Sequence, residues 1–224
     1  MKNNILLLTY HSTSAGSDYH ELMIHTGPRF TKYAHFNNYD YKHDVIDTSD
    51  PGICRLQKLN VINQQLQYDY QYIIYSDIDI FIKDTTYDIF NESQNTPGRR
   101  YHSLHKDITI SKDFNGLCAG FMIVKNTKFS KQFFNTCEFL KPTTISELPK
   151  SQQSPGDQEL IKHLYCEYPN VRKNIDPDLS EKIVSNNRSS ELTKKKSFAH
   201  HFWWRNRSRD AMKDAIIYME TYEK

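Results

Sequence analysis

The sequence has few cysteines and no long apolar run at its start, whereas many cysteines or such a run would mark a secreted, membrane-bound or redox-active protein. Its four cysteines show no CxxC spacing, so the pattern supports neither a zinc site nor a redox motif. The first apolar run, residues 5–8, is too short for the core of a signal peptide or for a membrane span. We therefore expect free thiols, no membrane span and a cytoplasmic location.

The charge balance also excludes one class of partner. The 29 basic and 27 acidic residues leave a net charge of +2, without the excess of positive charge that an obligatory nucleic-acid partner requires. The chain shows no internal repeat and no low-complexity tract. Its 224 residues are enough to bury a sizeable core, and we expect a single domain over residues 1–224.

Hydrophobic periodicity in the first part of the chain predicts the order strand, helix, strand, helix, strand. This order is typical of an α/β protein with a Rossmann-like, mostly parallel sheet flanked by helices, in which ligands bind beyond the carboxyl ends of strands. Pro28 predicts a break in the first helix, and Pro51 with Gly52 predicts a turn before the second. The strands are predicted over residues 5–9, 44–47 and 72–75, and the helices over 18–36 and 53–67.

The second part of the chain is less regular. A strong apolar strand is predicted over residues 121–124, and Pro142 is expected to end the helix that follows it. Residues 143–155 have the composition of a loop. Weaker strands are predicted over 101–104 and 107–110, helices over 129–140, 156–168 and 210–222, and a last strand within 198–204.

The most informative segment, residues 71–82, is an apolar and aromatic run that delivers Asp77 and Asp79 to the end of a strand. Unpaired buried carboxylates are costly, so this pair needs a partner. Oxygen ligands suit Mg²⁺ or Mn²⁺, which usually hold substrate phosphates with few protein groups. We therefore predict a divalent cation that carries a diphosphate; the alternative is a turn with two solvated aspartates. A second DxD triplet, residues 176–178, has no strand before it and is predicted to be a loop.

Three further features gain meaning beside this pair. Within residues 115–126, glycines precede an apolar strand and allow close approach of the backbone to a ligand. Asp157 and Gln158 stand at a helix start, although a carboxylate there is favourable for the helix dipole alone. His200 and His201 follow later in the chain. Imidazole is a good ligand for transition-type cations, so one of these two histidines would complete a site begun by two carboxylates.

The order of these motifs resembles metal-dependent glycosyltransferases of the GT-A fold. The nearest likeness is to glycosyltransferase family 34, the galactosyltransferase and mannosyltransferase group, with its short viral and bacterial relatives. Each motif is short and permissive, whereas their joint order is fairly specific and spans most of the chain. The matching pieces are residues 32–39, Lys58, residues 75–79, residues 115–126, residues 157–158 and residues 201–202.

The resemblance implies a metal centre and names its ligands. Asp77 would lie near the ribose and the metal, Asp79 would bind the metal directly, and His201 would be the third ligand. The cation would be Mn²⁺, with Mg²⁺ as the alternative. The Golgi members of the family carry a membrane anchor, and the sequence here shows none.

The resemblance also implies residues around the substrate. Thr9 and Tyr10 would contact the nucleoside at the end of the first strand, and Lys58 would lie near the diphosphate or the nucleoside. Asp157 would face the reacting sugar or the acceptor. If the enzyme inverts, Asp157 would deprotonate the acceptor hydroxyl; if it retains, Asp157 or Gln158 would position the donor sugar.

These expectations add up to a transferase that moves a sugar from a nucleotide sugar, with UDP as the expected nucleotide, to a glycan or glycoprotein. Residues 1–82 would form its nucleotide-binding half and residues 83–224 its acceptor-side half. One alternative is a phosphatase-like hydrolase with a nucleophilic aspartate. Two observations count against it: the DxD strand is the third rather than the first, and Ile80 stands where a threonine or valine is expected after the second aspartate. Another alternative is a non-catalytic relative that only binds nucleotide or carbohydrate.

Overall fold

The fold is a mixture of strands and helices in the order that the sequence predicts. The computed structural model describes residues 4–12, 17–47, 51–90, 105–113, 116–147, 156–179, 184–185, 198–202 and 216–221. The helices are α1 (Ser17–Phe36), α2 (Pro51–Gln65), α3 (Lys128–Glu147), α4 (Asp157–Glu167) and α5 (Pro169–Asn174), with a further helix over residues 216–221. The strands are β1 (Ile5–Ser12), β2 (Asp40–Ile46), β3 (Tyr72–Ser76), β4 (Ile80–Ile82), β5 (Ile108–Asp113), β6 (Gly116–Lys125), β7 (Ile175–Leu179), β8 (Val184–Ser185) and β9 (Ala199–His201).

A six-stranded sheet with the order β2-β1-β3-β6-β5-β7 forms the centre of the molecule. Strand β6 is antiparallel to both of its neighbours, and the other five strands share one direction. The predicted α/β class with a mostly parallel sheet is therefore confirmed. Because β6 runs backwards, its first residues lie at the edge where β1 and β3 end. The short strands β4, β9 and β8 form a second sheet beside that edge.

Helices cover the central sheet on both faces, which is what the apolar run of β1 requires. Leu6 and Leu8 point into a core that contains Leu59 of α2 and Phe134 of α3. Leu7, between them, points to the other face, where it belongs to the same core as residues of α1. Side chains that follow one another along a strand thus enter two separate cores, as strand geometry dictates.

Two prolines that predict helix ends lie inside continuous helices. Helix α1 runs through Pro28, and α3 continues past Pro142 to Glu147. In each case the residue four positions earlier, Ile24 or Glu138, is exposed, so water can bond to the carbonyl that the proline leaves unpaired. Pro51, predicted within a turn, instead opens α2, because its fixed φ angle and missing N–H suit the first helical position.

The second DxD triplet is part of a strand, so the prediction of a loop was wrong. Residues 176–178 lie in β7, which pairs parallel with β5 at the edge of the central sheet. Pro177 cannot donate a ladder hydrogen bond, and edge strands are where such a residue is accepted. The pairing with β5, rather than a local apolar run, makes this segment extended.

The remaining predicted elements are found where the structure describes them. The strands near residues 107–110 and 121–124, the helix at 156–168 and the strand before residue 202 are confirmed. The predicted loop begins later than expected, since α3 reaches Glu147. Residues 101–104, 148–155, 203–204 and most of the predicted last helix lie outside the described residues.

The described part of the chain also bears on the cysteines and on membrane insertion. Cys118, Cys137 and Cys166 are free thiols. Among the described residues, no helix combines the length and apolar character needed to cross a bilayer.

A small polar cluster lies under the β1–β2 pair, on the face that packs against α1. Thr9 Oγ1 is 2.7 Å from His43 Nδ1, and the other nitrogen of His43 is 2.8 Å from His11 Nδ1. Tyr41 also hydrogen-bonds with Thr9, at 3.2 Å. Burial lowers the pKa of His43 to about 4, and the neighbouring His11 adds to this effect.

We expect His43 to make the fold less stable in mild acid. Its pKa lies below its ordinary value of 6.5, so the unfolded chain binds this proton more readily than the folded one. The stabilisation is complete above about pH 6.5 and is lost as the pH falls towards 4. Urea unfolding at pH 7.5 and pH 5 is expected to show a smaller loss of stability for His43→Gln than for the wild type. His35→Gln, at an exposed site in the last turn of α1, is the control, and equal losses in all three proteins would contradict the expectation.

Candidate active site

The two carboxylates stand where β3 ends and the second sheet begins. Strand β3 ends at Ser76, and β4 starts at Ile80. Between them, the N–H of Ile80 donates to the carbonyl of Asp77 at 3.1 Å, which closes a tight turn. Ile78 is buried in the turn, and Asp77 and Asp79 flank it. The prediction that the DxD triplet follows a buried strand is confirmed.

Pairing within the second sheet brings His201 to this turn. Strand β9 is antiparallel to β4, with His201 opposite Ile80, and the N–H of Phe202 donates to the carbonyl of Asp79 at 3.0 Å. His201 Nε2 lies 3.4 Å from Asp79 Oδ1. One ligand atom each from Asp77, Asp79 and His201 lie within 4.8 Å of one another.

This cluster has the properties of a divalent-cation site. Asp79 Oδ1 is buried and makes no hydrogen bond, although His201 Nε2 lies 3.4 Å away, and a cation between them would satisfy this oxygen. Two carboxylates and an imidazole are the donor set expected for Mn²⁺ and similar ions. Burial alone lowers the pKa of His201, but Asp79 and Cys118 outweigh it and hold this pKa well above its ordinary value.

Lys58 of α2 places a positive charge beside two carboxylates, those of Asp77 and Asp157. It is buried, and its Nζ lies 2.9 Å from Asp77 Oδ1 and 2.8 Å from Asp157 Oδ2. Its third contact is with the carbonyl of Ala119, at 3.2 Å. Burial by itself lowers the pKa of Lys58, but the two carboxylates outweigh it and keep the ammonium charged.

The sequence-predicted catalytic pair lies beside the same cluster. Helix α4 starts at Asp157, which is buried and paired with Lys58. The next residue, Gln158, accepts a hydrogen bond at 3.3 Å from the N–H of Ala119 in β6. Lys58 therefore links Asp157 to Asp77, and Gln158 is held against β6.

The two residues predicted to contact a nucleoside lie on opposite faces of β1. Tyr10 packs near Tyr75, with ring centroids 6.2 Å apart, on the face that carries Lys58. The side chain of Thr9 is buried on the other face, against Tyr41 and His43. The structure thus brings Tyr10, but not the side chain of Thr9, to the cluster.

Comparisons with known proteins agree with this geometry. A model of the galactosyl transferase GMA12/MNN10 family matches residues 2–203. The chain belongs to this family. It is therefore a glycosyltransferase, as the order of its motifs predicts, and no curated protein sequence matches it significantly.

Solved glycosyltransferases share the fold. One is the enzyme involved in glycosylation of the major capsid of PBCV-1, with a TM-score of 0.64 and 11% identity over 96% of this chain and 98% of the viral one. Another is GlyE of Streptococcus pneumoniae TIGR4, with a TM-score of 0.55 and 10% identity over 97% of this chain and 62% of GlyE. At such low identity these likenesses establish the GT-A fold.

Sequence reasoning missed one partner of the carboxylates in this glycosyltransferase. The hydroxyl of Tyr75 donates to Asp77 Oδ1 at 2.6 Å. Burial raises the pKa of Tyr75 well above its ordinary value, and Asp77 adds to the effect, so the hydroxyl stays a donor. The signal was available, because residues two apart on a strand point to the same side.

In this glycosyltransferase the backbone of Gly120 also lies very close to His201 and Asp77, a contact that only the structure reveals. Ile110 pairs with Met122 and Ser111 with Cys118, so β6 bulges by three residues between these pairs. Gly120, in the bulge, accepts the N–H of Asp77 at 2.8 Å. A Cβ on Gly120 would lie 2.7 Å from His201 Cε1 and 3.2 Å from Asp77 Oδ2. The glycine therefore leaves room for two of the metal-ligand candidates.

We expect Gly120→Ala to disrupt the cluster while the rest of the fold persists. The added methyl group must displace the imidazole of His201, and Mn²⁺-dependent thermal stabilisation should be lost. Gly27→Ala in α1 is the matched control, because its new Cβ would meet only the flexible end of Met23, at 2.9 Å. That variant should keep the Mn²⁺ response. A full response in Gly120→Ala would show that the space beside Gly120 is not needed.

Proposed function

We propose that this glycosyltransferase is metal-dependent and moves a sugar from a UDP-sugar to a glycan or glycoprotein. The observation that carries the proposal is the convergence of Asp77, Asp79 and His201 within 4.8 Å, next to the Lys58–Asp157 ion pair. Separate elements supply these side chains, and a shared cation explains why three ligand-type groups meet there.

Mn²⁺ is the proposed cation, with Mg²⁺ as the alternative. Asp77, Asp79 and His201 would hold it, and the imidazole favours a transition-type ion over Mg²⁺, which prefers oxygen ligands. When bound, the cation would act as a Lewis acid that neutralises the charge developing on a departing diphosphate. Lys58 would keep Asp77 oriented, since its ammonium donates to Asp77 and to the carbonyl of Ala119 and forms an ion pair with Asp157.

The donor would lie across the carboxyl ends of β1 and β3. Tyr10 is proposed to pack against the nucleoside, because it lies near the carboxyl end of β1, on the face of the sheet that carries the cluster. Asp157 and Gln158 are proposed to face the donor sugar. Inversion would require Asp157 to take the acceptor proton, whereas retention would use this pair to hold the sugar. The anomeric configuration of the product distinguishes these two roles.

The alternatives fit the geometry less well. A phosphatase of the DxD type needs a first aspartate with a free nucleophilic oxygen, but Lys58 contacts both oxygens of Asp77 and Tyr75 donates to one. A non-catalytic relative would have little use for Asp157 in its buried pairing. The division into halves at about residue 82 and the cytoplasmic location stay predictions.

We expect Asp79→Asn to abolish turnover and leave the fold intact. The amide keeps the shape of the side chain but loses the charge that a cation needs. The measurement is UDP release from a panel of UDP-sugars with MnCl₂, with and without EDTA. Asp69→Asn, at an exposed turn, is the control and should retain activity. Metal-independent UDP release by Asp79→Asn at the wild-type rate would refute the proposal.

Two further measurements separate the alternatives. Release of phosphate from a generic aryl phosphate, indifferent to UDP, would identify a phosphatase. Stabilisation by UDP and Mn²⁺ without any donor hydrolysis or transfer would identify a binding protein.

We expect His201→Ala to weaken UDP binding chiefly when Mn²⁺ is present. Removing a ligand should exceed the roughly 10–100-fold loss in metal affinity that follows removal of a group that only orients a ligand. Calorimetric titration of UDP with and without MnCl₂ measures the difference. His163→Ala, on α4 outside the cluster, is the control. An unchanged Mn²⁺ dependence would remove His201 from the site.

A further inference from the structure

The orientation of the His201 ring is set by atoms at both of its nitrogens. Nε2 faces Asp79 Oδ1 at 3.4 Å, and Nδ1 faces the sulfur of Cys118 at 3.6 Å. Both Cys118 and His201 are buried, with 2% and 4% of their surface exposed, so this contact is shielded from competing water. A 3.6 Å separation is within hydrogen-bonding reach for a sulfur atom, which is larger than oxygen.

A metal-binding histidine usually donates its other ring N–H to a fixed acceptor. That bond selects the tautomer and holds the ring in the orientation that the metal needs. The acceptor is commonly a carboxylate or a backbone carbonyl, and here a thiol sulfur takes the position. Cys118 and Gly120 lie two residues apart on β6, and they border the same ring, one at Nδ1 and the other at Cε1.

We propose that Cys118 is a positioning residue that accepts the Nδ1 hydrogen of His201 and thereby presents Nε2 to the divalent cation. This inference rests on the proposed function, since it concerns a ligand of the proposed metal. Ser111 holds the backbone of Cys118 in place, because its hydroxyl donates to the Cys118 carbonyl at 2.8 Å. The sulfur thus has a fixed location from which to orient the ring.

The plainer role for a buried thiol is to fill space as a small apolar group. The two roles predict different results for variants of similar size. Cys118→Ala and Cys118→Val remove the acceptor, and valine refills the volume if the alanine variant is unstable. Cys118→Ser keeps an acceptor on a shorter bond. Cys137 is a buried free thiol in α3, away from the cluster, so Cys137→Ala is the matched control.

The test is Mn²⁺ affinity, measured from the electron paramagnetic resonance signal of free Mn²⁺ during titration. Cys118→Ala and Cys118→Val are expected to bind Mn²⁺ about 10–100-fold more weakly than the wild type. Cys118→Ser should recover part of the loss, and Cys137→Ala should bind normally. A packing role alone would not produce rescue by serine.

The outcomes separate this inference from the proposed function. Wild-type binding of Mn²⁺ together with undiminished binding by Cys118→Ala and Cys118→Val would overturn the role of Cys118 and leave the metal site standing. A wild type that binds Mn²⁺ no better than Asp79→Asn would overturn the metal site itself, and the role of Cys118 with it.

Discussion

The candidate active site is organised around one buried ammonium. The side chain of Lys58 extends from α2 and contacts groups from three other parts of the fold. These groups are Asp77 after β3, Asp157 at the start of α4 and the carbonyl of Ala119 in β6. Burying these charges is costly unless each finds a partner. The arrangement satisfies that condition, and removal of the ammonium would leave two carboxylates uncompensated, a change that costs at most about 3–5 kcal/mol when a pair is fully buried.

The reversed strand β6 makes this arrangement possible. In a fully parallel sheet only strand ends reach the binding edge, whereas here the beginning of β6 arrives there as well. Its bulge lets Ala119 supply a carbonyl to Lys58 and an N–H to Gln158. The two backbone groups of Ala119 therefore connect β6 both to Lys58 of α2 and to Gln158 of α4.

The sequence predicts those parts of the site that depend on local pattern. Asp77 and Asp79 were found because an apolar run precedes them, and strand ends form the binding edge of such sheets. His201 was placed through the family resemblance, since no rule of spacing links it to β4. The pairing of β4 with β9 supplies that link, and it is a tertiary contact.

Other features stayed out of reach because they depend on burial and on neighbours. Pro28 and Pro142 lie within helices where the residues four positions earlier, Ile24 and Glu138, are exposed, and periodicity alone does not reveal this. The contact between Cys118 and the His201 ring joins β6 to β9 across the fold. The bulge in β6 is likewise a matter of register with β5, and nothing in the glycine spacing specifies it.

The second DxD triplet shows that the same residue pattern can serve an entirely different purpose. Placed in β7, it gives the outermost strand of the described sheet a proline flanked by acidic residues. This edge strand lacks the N–H donor of Pro177 and carries two negative charges, so a strand from another molecule would pair with it poorly. One copy of the pattern thus lies in the candidate metal site, and the other gives an edge strand the features that disfavour edge-to-edge pairing.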